Sequence, residues 1–195
     1  MLGQSSIKEN IVMILNFDAS IICAEQNEQW YKAIQIAYMN WKSDPFDSNA
    51  LLCVISEIWY VLTFYIDRLV PLESVSREDL QEKLNETTKF AVENFIDNAE
   101  VNAILGYFIK VMPYMFLGVI NHDYDKCLNK GKRMIQHAYT LSPNDLMIIA
   151  IYDDIFELPQ FEESCITLWK TESVDKWSKS AVQRYFCRIL YGDTI

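Results

Sequence analysis

Residues Ala50–Ile66, ALLCVISEIWYVLTFYI, are apolar nearly all round a helix, yet Glu57 stands near their centre. A second stretch, Ala103–Ile120 (AILGYFIKVMPYMFLGVI), repeats the pattern with Lys110 and Pro113 inside it. A helix this apolar must be surrounded, either by protein or by lipid. At 17 and 18 residues the two stretches are at the short end for crossing a bilayer. A charge at mid-helix costs a further ~3 kcal/mol on insertion scales. The expectation is two buried helices at the centre of a water-soluble bundle, with no membrane contact. Glu57 and Lys110 either reach the surface between buried neighbours or, if the two segments pack together, pair inside, where deleting one partner typically costs about 3–5 kcal/mol.

The rest of the chain supports a helical body. There are only five glycines and five prolines in 195 residues, too few for the tight turns of an all-β fold. With 51% hydrophobic and 23% charged residues the chain has a globular balance, and its length suits one domain spanning residues 1–195. The first helix is expected from Ser6, with Glu9 completing a capping box. A second covers about 25–42, with Trp30, Ala33, Ile34, Ala37 and Trp41 on one face. Pro45 ends it, and Asp47 or Ser48 caps the apolar helix that follows, to about Leu69. Ser76 caps an amphipathic helix over about 77–97, with Leu80, Leu84, Thr87/Thr88, Ala91 and Phe95 inward. Further helices are expected over about 103–120 with a bend at Pro113, 123–140, 143–157 capped by Ser142, 159–169 and 178–191, with Gly192 as the last cap. No strand is expected.

GKRMIQHAYTLSPND (Gly131–Asp145) sets a glycine, an aliphatic, an alanine and a proline at steps of four, three and five. Small residues at such positions let two antiparallel helices approach closely, and the proline launches the next pair. The pattern resembles the second helix of a tetratricopeptide repeat. Ala33, Ala37 and Pro45 resemble it more loosely, and Asn102, Leu105 and Gly106 are similar to the first-helix pattern. The turns near residues 45, 98, 143 and 174 are unevenly spaced, whereas a regular array holds a period of about 34. The resemblance implies an all-α fold of about eight or nine helices: antiparallel hairpins stacked as an irregular tetratricopeptide-like bundle or short solenoid.

No motif for chemistry stands out. His122 and His137 are not arranged as HExxH or ExxH, no CxxC is present, and the glycines form no phosphate loop. NHDYDKCLNKGK from Asn121 has lysines where a calcium loop needs glycine and glutamate. Neither metal nor cofactor is therefore expected. The five cysteines read as buried apolar residues of a reducing, cytoplasmic compartment. The N-terminus carries no signal-peptide pattern.

Charge gives the functional expectation. With 17 Lys and Arg against 27 Asp and Glu, the net charge is −10. Such a field repels nucleic acid and anionic membranes and steers a basic protein toward the chain. The candidate partner-binding residues are Asp153, Asp154, Glu157, Glu162 and Glu163, with Glu82, Glu86 and Glu93 as a second patch. In size, acidity and lack of catalytic signatures the chain resembles, as a type of protein and through no motif, the bacterial immunity proteins that neutralise a toxin domain. That resemblance implies an acidic inhibitor masking the basic cleft of a nuclease-type toxin. A secretion chaperone or scaffold of helical repeats is one alternative. A small helical enzyme, using a carboxylate or His137 in an apolar pocket, is another.

Overall fold

A computed structural model describes residues 15–67, 75–171 and 179–191. Among them are nine α-helices, one 3-10 turn and no strand; an isolated bridge joins Leu117 and Asn121. The predicted all-α class is the observed one. The Ser6 cap, the turn near 174 and the Gly192 cap lie outside the described residues.

The first helix among the described residues is α1 (Ala19–Gln26), capped by Asp18, which accepts from the Ser20 N–H at 2.7 Å. Asn27–Gln29 then break the helix expected over 25–42, with Glu28 in the left-handed region at φ 57°. α2 (Trp30–Ser43) follows and buries the five predicted residues Trp30, Ala33, Ile34, Ala37 and Trp41. Asp47 caps α3 (Ser48–Phe64) through the N–H groups of Asn49 and Ala50. Ser76 caps α4 (Arg77–Asn94), which buries Leu80, Leu84, Thr87, Thr88 and Ala91. α5 (Ala99–Val111) starts at the Asn98 cap and stops before Pro113, whose missing N–H and ring end a helix. The chain continues as a 3-10 turn, Pro113–Phe116.

Asp123 caps α6 (Tyr124–Leu141). α7 (Leu146–Ile155) starts later than expected. Asp145, not Ser142, is its cap and accepts from Met147 and Ile148, leaving Pro143 in the preceding turn. α8 (Phe161–Thr171) and α9 (Ala181–Tyr191) complete the set. A reciprocal cap opens α9: Ser180 Oγ accepts from the Gln183 N–H, and Gln183 Oε1 from the Ser180 N–H.

The two apolar segments form the spine. α3 packs on α2, α4, α5 and α9, while α5 packs on α3, α6 and α7. Trp59 of α3 stacks on Phe108 of α5 with ring centres 4.2 Å apart, and Phe186 of α9 lies 5.9 Å from Phe108. Among the described residues no helix is long and apolar enough to cross a membrane.

The α5–α6 contact is very close. A Cβ on Gly131 would sit 2.7 Å from the Gly106 carbonyl oxygen and 2.8 Å from the Lys110 nitrogen. A Cβ on Gly106 would sit 2.9 Å from Met134 Cβ. Later residues of α5 thus face earlier residues of α6, so the helices are antiparallel. The glycine of GKRMIQHAYTLSPND is there for backbone contact, as its spacing suggests.

Candidate functional site

The carboxylates singled out in the sequence separate into distinct environments. Glu157, Glu162 and Glu163 are exposed on the α7–α8 turn and the first turn of α8. None of them has an ion-pair partner among the described residues. Asp154 is half-buried behind them. Burial lifts its carboxyl above the ordinary range, Lys110 draws it down, and Glu157 adds to the rise.

Asp153 does not belong to that face. It is 2% exposed. Its oxygens accept from Ser164 Oγ at 2.5 Å and Gln160 Nε2 at 3.1 Å, so it braces α7 against the start of α8. Truncating a buried acceptor leaves its donors unsatisfied. Asp153→Ala is expected to lower stability by about 2 kcal/mol in chemical denaturation. A change below about 0.5 kcal/mol would show that the brace contributes little.

The α4 patch is diluted by cations. Glu82 and Glu93 are exposed, but Lys89 stands between them on the same face. Glu86 accepts from Lys42 Nζ at 2.5 Å and from the Tyr38 hydroxyl. Burial works to raise the Glu86 carboxyl, and these hydrogen bonds outweigh it and hold it low. α4 packs on α3, whereas α7 packs on α5, α6 and α8, and α8 on α7 and α9, so the two acidic sets form separate patches.

Glu57 is fully buried, but Lys110 is not its partner. Neither carboxyl oxygen of Glu57 has a hydrogen bond, and Lys110 is half-buried toward Asp154. Glu57 instead neighbours Glu25 of α1, itself 3% exposed. Burial drives the Glu57 carboxyl well above its usual range, and the neighbouring Glu25 carboxyl drives it further. Glu25 Oε2 accepts from the Ala181 N–H at 2.6 Å, tying α1 to the start of α9.

No protein family model, no curated protein and no solved structure matches this chain. Cys53, Cys127, Cys165 and Cys187 are buried as expected, whereas Cys23 is exposed. Burial pushes the Cys53 thiol far up, Cys165 to about 12 and Cys187 to about 11, so all three stay protonated and poorly nucleophilic at neutral pH. Among the described residues no group of His, Cys, Asp and Glu side chains is arranged to hold a metal ion. A cleft of about 500 Å³ lies between α1, α2 and the start of α3. Its Asp18 and Asp47 are helix caps, Asn49 is bonded to the Asn16 backbone, and Ser43 to the Asn40 carbonyl.

Sequence reasoning missed a concentration of positive charge. α6 carries Lys126, Lys130, Lys132 and Arg133 against one carboxylate, Asp125. Lys130, Arg133 and His137 line a cleft of about 340 Å³ whose apolar wall includes Phe95, Val101 and Met134. His137 Nε2 lies 3.3 Å from Asp97 Oδ1 at the rim. The i, i+3, i+7 spacing of the three residues was the available signal, masked by a strongly negative total.

Proposed function

We propose that the chain is a cytoplasmic protein-binding protein, and within that class an acidic inhibitor of the immunity type that covers the basic cleft of a toxin domain. The observation that carries this reading is the state of Glu157, Glu162 and Glu163. They are exposed, within seven residues of one another in the chain and without cationic partners among the described residues. Most surface carboxylates gain little by pairing within a protein, but a run left unpaired beside a second, half-buried acid holds a local negative field. A lysine- or arginine-rich surface is steered toward such a field and is discriminated from an acidic one. The remaining Glu82 and Glu93 provide a weaker second face. A tetratricopeptide-like stacking of hairpins is part of the same proposal, and the close α5–α6 pair supports it.

The test begins with co-purification from the native host and identification of the retained protein. Its affinity is then measured for the wild type and for the triple variant Glu157→Gln/Glu162→Gln/Glu163→Gln over a range of salt. The expected partner is basic. The triple variant is expected to bind at least tenfold more weakly, with a shallower salt dependence and slower association. If the partner is a nuclease domain, the wild type is expected to block cleavage stoichiometrically. Equal affinity of both proteins at every salt concentration would remove the acidic face from recognition.

A further inference from the structure

We infer that the cleft between α4 and α6 is a second docking site, of opposite charge, for an acidic peptide segment bearing an apolar anchor. The inference stands apart from the acidic face on α7 and α8 and uses none of its residues. Three observations carry it. The first is shape: a cleft of about 340 Å³ with Phe95, Val101 and Met134 in its wall can take one large apolar side chain and the backbone around it. Ile96 extends this surface outward and is 62% exposed.

The second is charge. Lys130 and Arg133 line the cleft and have no ion-pair partner among the described residues. Asp97 lies beside His137 and leaves the two longer cations available. In a chain of net charge −10, four of the 17 Lys and Arg residues lie on α6. Arg offers a planar fork for a carboxylate and Lys a point charge beside it.

The third is rigidity. Gly131 of α6 lies against the backbone of Gly106 and Lys110 of α5, and Met134 Cβ leaves no room for a Cβ on Gly106, so the cationic row on α6 has a fixed register against α5. A preformed cleft avoids much of the ordering cost of binding. A nucleic acid would also meet the cations, but the rest of the chain, at net charge −10, would repel it.

The test uses a fluorescein-labelled peptide with one central Phe flanked on each side by three Glu. Binding is followed by anisotropy and by the ring resonances of the two histidines, with His122, outside the cleft, as the internal reference. The expected result is saturable binding that shifts His137 and leaves His122 in place. Replacing the glutamates by Gln, or the Phe by Ser, is expected to weaken binding at least tenfold. Lys130→Glu/Arg133→Glu is expected to do the same while leaving the circular dichroism and melting temperature within error. Glu157→Gln/Glu162→Gln/Glu163→Gln is expected to bind the peptide as the wild type does, which separates this site from the acidic face. Four results would each overturn the inference. They are no binding at millimolar peptide, unchanged affinity after the charge reversal, equal binding of a single-stranded oligonucleotide, and self-association that the reversal abolishes.

Discussion

Glu57→Gln is expected to make the protein more stable at neutral pH, by a margin that widens as the pH rises. Glu57 is surrounded by the apolar face of α3, with Glu25 opposite it and Cys53 one turn earlier, and burial is the main force on its carboxyl. The folded protein therefore keeps a proton on Glu57 that the unfolded chain releases near the ordinary glutamate pKa of about 4.3. Above that pH the folded state binds more protons than the unfolded state. The unfolding free energy then falls with pH, by up to about 1.4 kcal/mol per unit, until the folded-state value is passed. The stabilisation is thus fully present below the unfolded pKa and is lost above it. Gln keeps the size and the neutral form without the linkage. Wild type and variant should coincide in urea unfolding at pH 4 and diverge steadily from pH 5 to 8. A pair with Lys110 would give the opposite sign, because losing one partner of a buried pair is destabilising. Parallel pH profiles would show that Glu57 does not hold its proton in the fold.

That reversal shows where the sequence stopped being informative. That Glu57 stands in a run whose neighbours are apolar on every side was legible, but whether its carboxyl stays inside or reaches the surface was open in the sequence. Which residue faces it was not legible, since Glu25 comes from a different helix and only the tertiary arrangement sets the two carboxyls together. The caps at Asp47 and Ser76 were readable because a cap acts within three residues. At α7 two caps competed, and Asp145, with N–H donors two and three residues ahead, prevailed over Ser142 and Pro143. The break after α1 had no glycine or proline to announce it, since its left-handed residue is Glu28. Asp153 looked like part of an acidic run because its ligands, Gln160 and Ser164, lie beyond a turn. The cleft cations were lost in the net charge, which sums over a surface whose regions differ in sign.

Gly131→Ala is expected to lower stability by about 2 kcal/mol, although alanine is the better helix former. In an exposed helix the same change gains up to about 1 kcal/mol. Here the new methyl would meet the Gly106 carbonyl and the Lys110 nitrogen, 2.7 and 2.8 Å away. Both are backbone atoms of a buried helix and cannot turn aside as a side chain can. The helices must part, and overpacking of this kind costs about 1–3 kcal/mol or more. For a chain of this size, 2 kcal/mol corresponds to a fall of about 4–8 °C in melting temperature. Gly131→Val should cost more, because its second branch has no free rotamer against α5. Gly106→Ala/Gly131→Ala should cost less than the sum of the single changes, since helices already separated by one methyl leave room for the other. The seam also sets the register of Lys130, Arg133 and His137 against the apolar wall, so Gly131→Ala should weaken acidic-peptide binding even at temperatures where the fold is intact. A neutral or stabilising Gly131→Ala would mean that α5 and α6 do not meet at these glycines, and the fixed cleft would lose its physical basis with them.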